Sequence, residues 1–311
     1  MKIITESNDE HDFLTYPRRF SAYKWYKPLL VALLTVLFAA VFITMISIPI
    51  IAINVVSSQS LSSLFSGASG YDGMKIGTFT DAVMGFAPIA VLIPALALAA
   101  KTVKDRPFSS YSSSRGGWNW KLFFKCLGIS LFVVGIPVAF SNLLIGGDGV
   151  NRFTVAGFIA LLVLCPLQCA AEEYLFRAFV LQTIGSWFRI PILAIILSAI
   201  LFAAGHPYNM VGVISVLYSG LLWSLMIRYT KGIEASTAAH IVNNLVFFCM
   251  MGWGMVTLSS ATPLSDLIIG IIKDTLYFGV ILWISRKYHW FDEIQADDVT
   301  AFNEKMKSKL S

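Results

Sequence analysis

From Leu29 to Ile284 long apolar runs alternate with short polar breaks, after a polar opening segment. Roughly 17 to 25 such residues carry a helix across a bilayer. Eight runs are predicted as spans on that basis: Leu29 to Val55, Ala82 to Ala100, Leu122 to Ile145, Phe153 to about Trp187, Ile190 to His206, Val211 to Ile227, Ala235 to Val256 and Leu267 to Ile284. The fourth is long enough for one extended helix, or for a span with an amphipathic extension. The fold class is therefore all-α, a polytopic membrane protein built as a bundle of about eight transmembrane helices.

Composition agrees, with 57% hydrophobic and 13% charged residues and a mean hydropathy of +0.72. These values lie outside those of soluble domains. The net charge of +5 resides in loops, where it sets orientation and carries no nucleic-acid signal. Arg18, Arg19, Lys24 and Lys27 precede the first run, and Lys101, Lys104, Arg106, Arg115 and Lys121 separate the second from the third. Arg189, Arg228, Lys231, Arg286 and Lys287 mark later loops on the same side, whereas the opposite loops offer only Lys75 and Arg152. The positive-inside rule then places both termini in the cytoplasm, in a multi-pass plasma-membrane protein.

Other features are read more briefly. Met1 to Lys27 is too long and too acidic for a signal-peptide n-region, so the first run is expected to stay as an anchor. Cys126, Cys165, Cys169 and Cys249 lie in apolar stretches and read as small hydrophobes. Trp25, Tyr26, Trp118, Trp120, Tyr288 and Trp290 are expected to form an interfacial belt. "SSQSLSSLFSGASG" and "SSYSSSRGG" read as flexible loops, and the tail after Trp290 as a short helix or disorder.

Chemistry concentrates where charge interrupts the fourth run, in "CAAEEYLFRAFV". Ionisable groups inside a span cost about 2.5 to 3.5 kcal/mol each and mark function by default. Glu173 and Arg177 are four apart and suit an ion pair, whereas Glu172 is turned by about 100° toward another neighbour. All three also fit a purely structural network near the interface. "FAAGH" brings Phe202 and His206, and "HIVNN" brings His240 and Asn244. At about 1.5 Å per residue, Glu172, His206, Asn244 and His240 lie ~20, ~22, ~18 and ~12 Å from their cytoplasmic helix ends, which is one broad layer. A carboxylate and a histidine can hold a water and take its proton, while a second histidine and a carboxamide can stabilise the oxyanion that follows. Zinc held by Glu172, His206 and His240 is the alternative, and spacing does not separate the two. Cys165 and Cys169 read as packing, not as nucleophiles. Lys273 and Asp274 fit no motif and read as a structural pair.

"EEYLFR", "FAAGH" and "HIVNN" fit EExxxR, FxxxH and HxxxN, in the order found in CAAX prenyl endopeptidases and the bacterial CPBP (CAAX protease and bacteriocin-processing) family, which residues 153 to 256 therefore resemble. The resemblance implies an intramembrane endopeptidase open toward the cytosol. It implies that Glu172 and His206 activate water, that His240 and Asn244 hold the oxyanion, and that Glu173, Arg177 and Phe202 support the site. A metal-free glutamate mechanism is favoured over a divalent metal such as zinc. The organisation expected is a cytoplasmic segment (1–27), helices 1 to 3 (28–152), a CPBP-like catalytic core of helices 4 to 7 (153–256), helix 8 (257–290) and a cytoplasmic tail (291–311).

The expected partners are the lipid bilayer and a membrane-associated peptide or protein, which need not be prenylated. The loop composition points to a bacterial source. The competing reading is a non-catalytic scaffold or bacteriocin self-immunity protein, with a sensor or bacteriocin as its partner. A proton-coupled transporter is disfavoured because no broken helices or paired repeats are visible.

Overall fold

The computed structural model describes residues 12–56, 75–257, 259 and 261–308. The stretch at 57–70, expected as a flexible loop, lies outside the described residues. Among the described residues the structure is all-helical, 76% helix without strands, and seven helices are long and apolar enough to cross a membrane. So many apolar helices suggest a multi-pass membrane protein.

The long helices are α1 (Lys27–Val56), α2 (Phe79–Val103, interrupted at Val91), α3 (Trp120–Ile145) and α4 (Val155–Phe188). After the shorter apolar α5 (Pro191–Ala204) come α6 (Met210–Thr230), α7 (Glu234–Gly252) and α8 (Leu264–Tyr288). A polar helix, α9 (Asp298–Lys307), closes the chain. The fifth expected span is thus only 14 residues long. Pro191 starts it, where a proline lacking its N–H costs nothing, and Gly205 ends it.

Two sets of loop contacts define two faces. On one, Thr154 N–H donates to Gly77 O (2.9 Å), Arg152 N–H to Gly252 O (2.8 Å) and Asn209 Nδ2 to Thr262 O (3.1 Å). This joins the loops before α2, α4 and α6 to those around α7 and α8. Thr78, Thr154 and Asn209 cap the helices that begin there, each side chain accepting a backbone N–H. Such caps are worth about 1 kcal/mol apiece. Gly157, in the first turn of α4, permits this closeness, since an added Cβ would lie 2.1 Å from Gly77 O. Gly157→Ala is therefore expected to cost about 1 to 3 kcal/mol, read as a lower thermal midpoint in detergent.

The opposite face carries the basic residues and is closed by a layer of polar contacts. "SSYSSSRGG" is not a flexible loop there. Ser109–Ser112 forms a helical turn, and Ser110 to Arg115 are buried. Ser114 N–H donates to Lys231 O (2.9 Å) and Ile233 N–H to Ser112 O (3.0 Å). Arg115 Nη2 meets Glu234 Oε2 at 2.7 Å with both side chains buried, and Gln295 N–H donates to Arg115 O at 2.7 Å. Gly116, at φ +104°, lets Ala296 close against this loop, for which a side chain leaves no room. The serines look solvent-loving by composition, yet the Ser110 and Ser113 hydroxyls donate to the carbonyls of Pro107 and Lys231, and those of Ser109 and Ser112 pair with Asp298 and Tyr174.

The polar start and tail complete the layer. Tyr16 donates to Asp298, Ser21 N–H to Asn303 Oδ1 (2.7 Å), and Asn303 Nδ2 to Arg19 O (3.1 Å). Arg18 Nη1 reaches Ser186 O at 2.9 Å, and Arg228 faces Asp12 at 3.4 Å. The aromatic belt is only partial. Trp25, Trp120 and Tyr288 are exposed, but Trp118 and Trp290 pack against the core, with Lys125 over the Trp290 ring at 4.3 Å.

Candidate active site

The acidic pair lies where α4 changes its winding. Glu173–Val180 is a π-helical segment inserted into the α-helix, a feature that recurs at functional sites. Wider winding shifts the backbone hydrogen bonds, and Ser198 Oγ of α5 donates to Phe176 O at 2.7 Å. In a membrane such backbone groups need a partner from a neighbouring helix.

The two glutamates have different surroundings. Glu173 is fully buried, 3.4 Å from Arg177 Nη1 as the spacing predicts. The Arg177 guanidinium also lies 3.6 Å above the Phe202 ring, which gives the aromatic position of "FAAGH" a physical role. Glu172, with its side chain 12% exposed, borders a cavity of about 670 Å³. Gln168 Nε2 donates to Glu172 Oε1 at 2.6 Å, one helical turn away.

His240 of α7 joins both carboxylates. Its Nδ1 is 2.9 Å from Glu173 Oε1 and its Nε2 is 3.4 Å from Glu172 Oε2. Asn244 follows His240 by one turn, on the face the spacing gives both, and accepts from Asn243 Nδ2 through its Oδ1 at 3.0 Å, leaving its own Nδ2 as a donor. His206, just beyond α5, places Nδ1 at 2.8 Å from Phe202 O. A carbonyl only accepts, so Nδ1 carries the proton and Nε2 is left as an acceptor. Glu172, His206, His240 and Asn244 all line the same cavity, as the depth estimate required.

Three further residues belong to this cluster. Gln168 and Asn243 were visible as polar interruptions of apolar runs, at the positions that hold Glu172 and Asn244. Trp223 of α6, whose ring is 5.4 Å from that of His240, carried no such signal because tryptophan is ordinary in a membrane helix. Cys165 and Cys169 are fully buried and do not border the cavity. Lys273 does border it, pairing with Asp274 at 2.8 Å.

Among the described residues no three His, Cys, Asp or Glu side chains are set to hold a metal ion. In the set Glu172, His206 and His240, Glu173 holds His240 Nδ1 while Nε2 faces Glu172 at 3.4 Å, an orientation that a metal ligand backed by a carboxylate shares with a metal-free site.

Residues 154–246 match the family described as type II CAAX prenyl endopeptidase, Rce1-like. The chain carries an Rce1-like segment. It encloses every motif residue from Glu172 to Asn244, in agreement with the CPBP resemblance, and it suggests a CAAX protease-type function within the membrane. Over 218 residues the chain is also 28% identical to uncharacterized protein YyaK of Bacillus subtilis (strain 168), covering 63% of this chain and 72% of that protein. That relationship extends beyond the Rce1-like segment. No solved structure matches the chain.

Proposed function

We propose that the protein is an intramembrane endopeptidase that hydrolyses a peptide bond of a membrane-associated peptide or protein, with water activated by Glu172 and His206. The observation that carries this reading is the pairing of two unlike carboxylates, one buried against Arg177 and one bordering a cavity that two histidines also line. Glu173, Arg177 and Phe202 then position the site while Glu172 carries the chemistry. A water between Glu172 and the free His206 Nε2 loses a proton to the carboxylate as its oxygen attacks the substrate carbonyl. Asn244 Nδ2 and, with both ring nitrogens protonated between the two carboxylates, His240 Nε2 are the donors to the resulting oxyanion. Collapse of that intermediate breaks the C–N bond, and the proton held by Glu172 passes to the leaving amine. The catalytic core is then the 153–256 region, and residues outside it shape access.

The direct test is incubation of purified protein with apolar-tailed peptides, followed by mass spectrometry for new termini. The reading requires such termini with the unaltered protein and none with Glu172→Gln. The metal-free form of the mechanism has a separate check. Purified, active protein is expected to hold less than stoichiometric zinc and to keep its activity after chelation. One tightly held zinc per chain, whose removal abolishes cleavage and whose return restores it, would overturn that form.

A further inference from the structure

We infer that the cavity receives its peptide from the extracytoplasmic side of the membrane. The substrate class is then a peptide segment already carried across the bilayer, such as an exported peptide or the outward-facing part of a membrane protein. The substrate class rests on the endopeptidase reading; the direction of access does not.

Three observations point the same way. Among the described residues the cavity's exposed lining, including Lys75, Pro207, Ser259 and Pro263, comes from the loops before α2, after α5 and between α7 and α8. These belong to the face opposite the basic loops. Below that mouth the lining passes Ser215 and Ser219 of α6 before reaching Trp223 and His240. About four residues of helix, or ~6 Å, separate Ser219 from Trp223 along the axis, so the site lies at the inner end of a path that begins at this mouth.

The basic face offers no comparable route through the described residues. The buried Arg115–Glu234 pair lies at the start of α7, two turns before His240. Backbone contacts from 112–115 to 231–233, and from 295–296 to Arg115, cross the same region. Water or an extended peptide entering there must separate these contacts.

Charge orients the two faces. Lys101, Lys104, Arg106, Arg189, Arg228, Lys231, Arg286 and Lys287 mark the closed face, whereas the loops of the open face carry Lys75 and Arg152. Arg152 is itself paired with Asp148. The positive-inside rule counts lysine and arginine in short loops near the helix ends, and here it puts the closed face in the cytoplasm. Cytoplasmic termini and a cytosolic opening, both expected from the sequence, are therefore incompatible for this cavity. The charge distribution decides for the termini.

Accessibility separates the alternatives without any need for cleavage. Ser259→Cys at the mouth, Ser215→Cys and Val216→Cys within the cavity, and Lys305→Cys on the closed face would be treated with a membrane-impermeant maleimide in spheroplasts and in inside-out vesicles. Protein without an added cysteine sets the blank, and labelling after detergent solubilisation confirms that each thiol is present and reactive. The expected result is labelling of Ser259→Cys and of at least one cavity variant in spheroplasts, with Lys305→Cys labelled only in inside-out vesicles. Labelling of the cavity variants solely in inside-out vesicles overturns the inference, as does failure of both to label from the outside while Ser259→Cys does. A reporter segment presented on either side then tests substrate class, with the cut expected only outside and lost in Glu172→Gln. Outside labelling with no cut on either side sinks the endopeptidase reading and leaves the access route intact.

Discussion

Glu172→Gln is expected to remove cleavage almost entirely while leaving the protein folded and able to bind its peptide. The two side chains have nearly the same shape, so the change acts on basicity: a carboxamide has no useful affinity for a proton near neutral pH. Its oxygen can still accept from Gln168 Nε2, and its NH2 can turn toward the cavity, so the hydrogen bond within α4 survives. Loss of a general base lowers rates by about 10²- to 10⁴-fold. A stability defect is distinguishable, because it scales with the amount of folded protein and not with turnover per molecule. The measurement is cleavage per mole of protein, with thermal midpoint and peptide co-purification from the same preparation. Retained biological activity with no product in either strain would favour the scaffold or immunity alternative, with the motif residues forming a structural polar core.

Arg177→Ala is expected to have the largest effect on folding. The substitution strands Glu173, which is fully buried, and removes the guanidinium from the Phe202 ring. Breaking a buried pair by deleting one partner costs about 3 to 5 kcal/mol, a large share of the 5 to 15 kcal/mol typical of a folded domain. Yield and thermal midpoint in detergent should both fall. Replacing both partners together, as Glu173→Gln with Arg177→Met, is expected to recover part of the stability because no charge is left uncompensated. It should not recover normal cleavage, since His240 Nδ1 loses its carboxylate partner. If Arg177→Ala left stability unchanged, the ion pair would not be the support inferred here.

Much of the architecture was legible because its signals are local. Span length, the alternation of basic loops and the extended fourth run are read along the chain, and α4 does run unbroken from Val155 to Phe188. The motif residues could be placed in one layer because helical rise converts residue counts into depth. Partner choice within that layer was less legible. Spacing puts His240 and Asn244 on one face of α7 but does not show that the His240 ring meets both glutamates where the winding of α4 changes. A π-helical insertion leaves no composition signature that would have announced it. The buried 110–115 segment was misread for a related reason. Serine-rich sequence signals flexibility only where water meets its polar groups, and here Lys231, Tyr174 and Arg115 occupy those positions.

The contacts between residues 16–21 and 298–303 join stretches more than 280 positions apart. During synthesis the first of these segments emerges early, meets Ser186 of α4 through Arg18, and gains its partners in α9 only after α1 to α8 have been made. The part of the closed face that the tail supplies is therefore completed last. A chain halted before Gln295 would carry the motif helices above an unfinished base, with Arg115 lacking the main-chain amide that covers its carbonyl. Pairing of the tail with the opening segment thus makes closure of the basic face one of the last steps of folding.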